Sequence, residues 1–235
     1  MNIALIGYGK MGKEIEAIAL KRGHTIVLKV DKDNASEITD NALQKADVAI
    51  EFSTPHTVLE NINKCFDAQV PIVVGTTGWY AQFEDVKKAC SQKNGGLFHA
   101  TNFSLGVNLF FKLNSYLAEL MNKYEEYDVS MEEIHHIHKL DKPSGTAITL
   151  ASQVIDKIRR KRKWSIDSRD KDTLFIKDIR EEEVPGTHIL KYHSDVDDIE
   201  IMHKAHNRKG FALGAVIAAE FLRGRKGIYT MNDII

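Results

Sequence analysis

Three histidines and Lys139 are packed into one polar segment, Glu133-Ile134-His135-His136-Ile137-His138-Lys139-Leu140-Asp141-Lys142-Pro143-Ser144-Gly145-Thr146. Imidazole titrates near neutrality, so such a cluster can take up or release a proton at physiological pH. Lys139 adds a positive charge four residues after His135. Ser144, Gly145 and Thr146 stand where helical spacing begins, and a helix N-terminus offers backbone N–H groups to a carboxylate. The segment therefore suits proton transfer on an anionic substrate; taken alone, the same residues suit a polar surface loop equally well. No metal centre is expected. The histidines lack helical ligand spacing, and no cysteine or glutamate cluster completes a ligand set.

A second chemical signal lies at the start of the chain. Gly7-Tyr8-Gly9-Lys10-Met11-Gly12 is a G-x-G-x-x-G string that follows an apolar run and opens a helical one. Glycines there let the backbone approach a pyrophosphate, and the helix N-terminus presents N–H groups to it. By itself the string also fits a ligand-free strand-to-helix turn. Asp31, 24 residues after Gly7, stands at the end of the next expected strand, about where an acid accepts hydrogen bonds from the adenosine ribose. Lys32 beside it suits a 2′-phosphate, so the pair accommodates NADH or NADPH.

The elements that must position these residues change character along the chain. Up to about residue 100, short apolar runs alternate with helical patterns. Strands are expected at Asn2–Ile6, Thr25–Val30, Asp47–Phe52, Ile72–Val74 and Gly96–His99, and helices at Lys10–Lys21, His56–Phe66 and Phe83–Ser91. That alternation implies a parallel sheet with helices on both faces, with ligands beyond the carboxyl ends of the strands. The polar and glycine-rich clusters fall at those ends: Gly7–Gly12, Asp31-Lys32, Ser53-Thr54-Pro55, Gly75–Gly78 and Thr101–Ser104.

From about Val107 the alternation stops. A long helix is expected over Leu105–Lys123, with Leu109, Leu113, Tyr116, Leu117 and Leu120 as its apolar residues. A strand at Asp128–Ile134 and a helix from Thr146 to about Arg159 follow. Leu174–Ile179, Ile189–Tyr192 and Ile199–His203 read as an antiparallel sheet, Phe211–Leu222 as a helix and Gly227–Ile235 as a short tail. This is the α+β pattern of a separate substrate domain. Arg159-Arg160-Lys161-Arg162-Lys163 reads as a solvated helix C-terminus, where cations complement the dipole, rather than as a nucleic-acid patch.

Bulk composition agrees. Thirty-two basic and 33 acidic residues leave a net charge of −1, so no overall field draws in nucleic acid or an anionic membrane. No apolar run approaches the roughly 18 residues of a membrane span. The apolar start ends in glycine by Gly7, too short for a signal peptide. Cys65 and Cys90 lack C-x-x-C or zinc spacing and are expected as buried or half-buried thiols. These features point to a cytoplasmic protein without nucleic-acid or membrane partners.

The E-x-H-H-x-x-K-x-D-x-P-S-G-T segment resembles the signature of the dihydrodipicolinate reductases. Gly75-Thr76-Thr77-Gly78 and the N-F-S-x-G-V-N string at Asn102–Asn108 are similar to further blocks of that family, in the same order. The resemblance runs the length of the chain. It implies reduction of a cyclic imine dicarboxylate by NADH or NADPH to give tetrahydrodipicolinate, in lysine and diaminopimelate biosynthesis. It implies His135 as the acid/base residue and Lys139 as the proton donor. His136, Gly145 and Thr146 would hold a substrate carboxylate. Gly7, Tyr8, Gly9, Lys10, Met11, Gly12, Asp31 and Lys32 would bind the adenine half of the cofactor. Gly75, Thr76 and Thr77, with Ala100, Thr101, Asn102 and Phe103, would line its nicotinamide half.

The architecture implied is a Rossmann-like α/β dinucleotide-binding domain, residues 1–106 rejoined by 210–235, with an inserted α+β substrate domain at 107–209. The glycine loop is one residue shorter than in many members. After Val184-Pro185-Gly186-Thr187 the chain runs almost directly into Tyr192–Asp198 and Ile199–Arg208, without the R-G-G and G-E-H strings of most members. This implies a trimmed substrate domain; a homo-oligomer is expected, but the family's tetramer, whose contacts come largely from that domain's sheet, does not carry over directly. Two other readings share the glycine loop: a two-domain dehydrogenase of the aspartate or homoserine type, and a non-catalytic NAD(P)-binding sensor. The His-His-x-x-Lys and P-S-G-T strings oppose the first, and intact His135 and Lys139 oppose the second.

Overall fold

The computed structural model describes residues 1–207 and 209–235. Arg208, which closes the Ile199–Arg208 segment, lies outside the described residues. The chain divides into two compact units, Met1–Leu105 with Lys209–Ile235, and Gly106–Arg208.

In the first unit, β1 (Asn2–Ile6), α1 (Lys10–Lys21), β2 (Thr25–Val30), α2 (Asp40–Leu43), β3 (Val48–Glu51), α3 (Val58–Asp67), β4 (Ile72–Val74), α4 (Phe83–Gln92) and β5 (Gly96–His99) follow in order. Short 3-10 turns at Lys32–Glu37 and Tyr80–Gln82 join them. With β11 (Gly227–Tyr229) from the end of the chain, the strands form a six-stranded parallel sheet in the order β11-β5-β4-β3-β1-β2. Alternate side chains feed two cores. Ala4, Ile6, Ala49, Ile72 and Val74 pack with Val58 and Ile62 of α3 and Val86 of α4. Ile3, Leu5, Val48, Ile50 and Val73 pack with Ile15 and Ala19 of α1 and with the alanines of α7 (Lys209–Leu222). A strand buried on both faces is apolar at nearly every position, which is why these segments read as hydrophobic runs.

The second unit contains α5 (Leu105–Met121, its first residue in the other unit), β6 (Asp128–His135), α6 (Gly145–Lys157), β7 (Lys163–Ser165), β8 (Thr173–Arg180), β9 (Thr187–His193) and β10 (Asp198–Lys204). Its five-stranded sheet runs β10-β9-β6-β8-β7. The chain then re-enters the first unit through α7 (Lys209–Leu222) and β11 (Gly227–Tyr229).

Four expectations are corrected. The second sheet is mixed, not antiparallel: β6 pairs β8, and β7 pairs β8, in parallel, while β9 runs antiparallel to β6 and β10. The C-terminal tail is a strand, β11, paired parallel to β5 from Gly227↔Gly96 to Tyr229↔Phe98. The buried face of α5 is Val107, Phe110, Asn114, Ala118 and Met121. Leu109, Leu113, Tyr116 and Leu120 instead stand outward, 45–62% exposed. Both stripes have helical spacing, so periodicity alone could not choose between them. The cation run is not a solvated helix end. The helix stops at Lys157, and Lys161 is buried, its Nζ donating to the carbonyls of Lys171 and Thr173 and pairing with Asp128 at 2.8 Å. Arg160 donates to the Tyr127 carbonyl at 2.8 Å. These two cations tie the β7 approach to its neighbours. Cys65 and Cys90 are buried free thiols.

Candidate active site

In the first unit the candidate site is built on glycines, two of them at places where a side chain does not fit. Gly7 takes φ +93°, and a Cβ on it would meet the Phe52 carbonyl oxygen at 2.0 Å. A Cβ on Gly12 would meet the Gly7 carbonyl at 2.3 Å. The turn is therefore compressed against β3 and leads directly into α1, with Gly9 as its N-cap. A Cβ on Gly9 would meet nothing within 4 Å. That glycine faces open space where a ligand's pyrophosphate would sit against free N–H groups, so the loop fits a dinucleotide. Tyr8, by contrast, is folded back: its hydroxyl bonds Glu16, which also pairs with Lys29 at 2.7 Å.

Gly9, Lys10, Met11, Phe52, Ser53, Pro55, Gly75, Thr76 and Thr77 line one open groove at the carboxyl ends of β1, β3 and β4. Thr76 is buried; its hydroxyl accepts the Ser53 N–H at 2.8 Å, tying the two strand ends together. Asp31 and Lys32 lie at the end of β2, outside this groove lining. The Asp31 carboxylate accepts the Lys32 N–H at 2.9 Å and caps the turn that follows. Ala100–Phe103 follow β5 and are also outside the lining. Phe103 is buried against Phe98 and Phe52, and the Asn102 side chain accepts the Ser104 N–H. Phe52, Ser53 and Pro55 were not among the expected site residues. The Ser53-Thr54-Pro55 cluster at a strand end was the available signal.

In the second unit the candidate site is built from side chains. His135 is the last residue of β6 and is buried, and Glu133, two residues earlier on the same face, is fully buried. β9 brings His188 beside them, with the two imidazole rings edge to face at 5.1 Å. Ser144 caps α6: its hydroxyl accepts the Ala147 N–H at 3.1 Å and lies 3.2 Å from His188 Nε2. Its own N–H donates to Glu133 Oε1 at 2.8 Å. Glu133 Oε2 stands 3.3 Å from His135 Nδ1 and 3.5 Å from His188 Nε2. Gly145 and Thr146 then form the first turn of α6, whose N–H groups have no intrahelical acceptor. Open space surrounds the Gly145 Cα.

These neighbours set the charges. Burial disfavours ionisation of Glu133, but His188, the Ser144 hydroxyl and amide, and His135 outweigh it and hold the carboxyl at about 2. Burial disfavours the His135 imidazolium; His188, Lys139 and Arg180 push the same way against Glu133, and the ring is held at about 4. At neutral pH the pair is thus a carboxylate facing a neutral imidazole. Lys139 is half-buried, with its ammonium paired to Asp141 at 2.8 Å. Arg180 pins the loop by donating to the Asp141 carbonyl at 2.8 Å. His136 is half-buried and its Nδ1 has no partner. Glu133, His135 and His188 place three ligand-type atoms within 4.8 Å of one another. The Ser144 amide and hydroxyl already engage two of these side chains, and the cluster fits a hydrogen-bond network better than a metal shell.

Comparison with known proteins agrees with this constellation. Residues 1–103 match the family description "Dihydrodipicolinate reductase, N-terminus" and residues 106–235 match "Dihydrodipicolinate reductase, C-terminus". This chain belongs to the dihydrodipicolinate reductase family. A 4-hydroxy-tetrahydrodipicolinate reductase of Christiangramia forsetii is 48% identical over 235 residues, covering 100% of this chain and 98% of the relative. One of Neisseria gonorrhoeae is 35% identical over 228 residues, covering 94% and 83%. The fold matches that of a dipicolinate-bound dihydrodipicolinate reductase from Paenisporosarcina sp. TG-14, with a TM-score of 0.82 at 22% identity over 100% of this chain and 99% of that one. The dihydrodipicolinate reductases are NAD(P)H-dependent oxidoreductases of lysine and diaminopimelate biosynthesis, and this chain is an oxidoreductase of that kind. Neither rival reading is favoured by these relatives. The family also clarifies His188, which was not anticipated. Gly186-Thr187-His188 keeps two of the three letters of the G-E-H string; only the middle residue differs.

Proposed function

We propose that this chain reduces the cyclic imine derived from 4-hydroxy-tetrahydrodipicolinate to tetrahydrodipicolinate in the cytoplasm. The observation that carries the proposal is the buried His135 at the end of β6, joined through Glu133 and Ser144 to the N-terminus of α6. The first unit holds the cofactor and the second the substrate. Bound nicotinamide supplies a hydride. Gly9 and the opening turn of α1 hold the pyrophosphate, while Asp31 holds the adenosine ribose. Lys32 accommodates a 2′-phosphate, so both NADH and NADPH serve. Thr76 and Thr77, with Ala100–Phe103, shape the nicotinamide end.

In the second unit, Gly145, Thr146 and His136 hold a substrate carboxylate, and cationic Lys139 offsets the dianion's charge. His135 is neutral at pH 7, so it meets the substrate as a polar base and not as a resting acid. The proton that accompanies hydride addition is drawn from Lys139, whose positive charge acts on the His135 ring. Lys139→Ala removes a charge and a proton source together, so it lowers kcat and raises KM.

The sheet of this unit is covered by α5 and α6 on one side. Its other face, with Ser130, Glu132, Phe175, Lys177 and Lys191, supports a homo-oligomer that pairs this face with a second copy. Light scattering coupled to size exclusion reads the oligomer directly. The activity is tested by following NAD(P)H loss with imine generated from pyruvate and aspartate semialdehyde. Loss that depends on both precursors and on this chain is the expected result, and no loss above the enzyme-free rate overturns the proposal.

A further inference from the structure

The proposed activity assigns no task to Glu133, which is fully buried and cannot meet a substrate directly. Its surroundings are unusual for a buried carboxylate. Neither a lysine nor an arginine pairs with it among the described residues. Oε1 accepts the Ser144 amide at 2.8 Å, while Oε2 has no aligned donor. His135 Nδ1, 3.3 Å from Oε2, is likewise buried and without another partner. An ionised carboxylate can only accept, so the nitrogen facing it must carry the proton. The other ring nitrogen then holds the lone pair.

We infer that Glu133 is a positioning residue: it fixes His135 as the Nδ1–H tautomer, presents an unprotonated Nε2 to the reaction, and ties that histidine to the carboxylate-binding turn of α6 through Ser144. This inference rests on the proposed reading of His135. Glu133 belongs to β6 and Ser144 to the α6 cap, so one side chain sets both the orientation of the ring and the place of the helix end. His188 limits the alternatives. It crowds the His135 ring edge to face at 5.1 Å, and its Nε2 also lies near Oε2, at 3.5 Å. The ring cannot turn away without displacing β9. The lack of a side chain at Gly186 keeps the other nitrogen uncrowded: a Cβ there would press to 3.1 Å from His135 Nε2.

The test reads the tautomer itself. Full-length protein labelled with ¹⁵N-histidine, with His135 identified by its loss in His135→Asn, reports which ring nitrogen is protonated. At pH 7 the wild-type ring should show a protonated Nδ1 and an unprotonated Nε2. Glu133→Gln retains an oxygen for the Ser144 amide but removes the charge. It should move His135 toward a tautomer mixture and lower kcat about tenfold or more, with KM changed less than about threefold, the split expected when the bond to the helix end is kept and only the hold on the reacting residue is lost. A protonated Nε2 in the wild type overturns the inference, as does a Glu133→Gln protein with wild-type ring shifts. Should that variant fail to fold, the wild-type spectrum still decides. Absence of turnover by the wild type would overturn the proposed activity, and the tautomer would be read all the same.

Discussion

Each unit places a fully buried glutamate at or near the end of a strand, and their pKa values are pushed in opposite directions. Glu51 closes β3 in the first unit and Glu133 stands two residues before the end of β6 in the second. Burial dominates at Glu51: its donors are Ser53, Thr76 and Asn61, neutral groups that only partly oppose the upward shift, and Oε2 is left without a partner. At Glu133 the same burial is overcome by an imidazole, a backbone amide and a hydroxyl. Equal burial therefore does not mean equal chemistry; the donors around the group decide whether it is charged. Around Glu51 the donors are neutral and leave the carboxyl harder to ionise, while around Glu133 an imidazole joins them and the carboxyl ionises more readily than usual.

The largest expected effect separates the units by activity. His135→Ala should lower kcat by roughly 10²–10⁴, the usual worth of a positioned acid/base group, while NADH affinity by calorimetry is unchanged. Loss of NADH binding as well would mean that the substitution disturbs the fold of both units, and near wild-type kcat would remove His135 from the reaction.

The two glutamates should also part in stability. Glu133→Gln should destabilise at pH 7 by about 1.5–3 kcal/mol, the range for hydrogen bonds to a charged group. Glu51→Gln should be neutral or stabilising at pH 7, because it removes a carboxyl that resists ionisation. The pH dependence follows the same signs. The pKa of Glu133 is depressed from its ordinary 4.5 to about 2, so its contribution is present above 4.5 and is lost as pH falls toward 2. His135, depressed from 6.5 to about 4 and faced by Glu133, His188, Lys139 and Arg180, leaves a proton to be gained on unfolding, so stability also declines from pH 6.5 to 4. Glu51, raised, contributes at acid pH and loses that contribution as pH rises through its folded pKa. Thermal melts of the variants across pH 3–8, roughly the span of these shifts, would check each sign. An acid slope unchanged in His135→Asn would contradict the second.

A smaller effect is expected at the glycine loop. Gly9→Ala adds a methyl where the fold leaves space, so the melting temperature should hold while NADH affinity falls about tenfold, or 1.4 kcal/mol. Gly7→Ala should instead lose stability, because its Cβ would strike the Phe52 carbonyl. Equal affinity for NADH in wild type and Gly9→Ala would place the pyrophosphate elsewhere. The smallest effect is at Lys32. Lys32→Ala should weaken NADPH a few-fold and leave NADH unchanged, as befits an exposed charge screened by solvent. Equal losses for both cofactors would remove its assigned 2′-phosphate contact.

Much of the molecule was legible in the residues themselves. The parallel sheet showed because strands buried on both faces are largely apolar, and the glycine turn showed because Gly7 and Gly12 sit where nothing larger fits. The His135–Thr146 segment showed because its chemistry is contiguous in the chain. Other features depended on contacts that the chain order does not contain. β11 is too short to announce itself and is a strand only because the edge of β5 accepts it. Two stripes of α5 carry equal helical spacing, and the packing of Phe110, Ala118 and Met121 chose between them. His188 lies 53 residues beyond His135 and became part of the site when β9 paired antiparallel with β6, opposing Glu133 to His188. Local sequence thus determined which backbone segments form strands, helices and the glycine turn, since these rest on short-range sterics and periodicity. Only the tertiary structure decided which ionisable groups are buried together, and hence which are charged, because desolvation and partner distance are properties of the assembled fold.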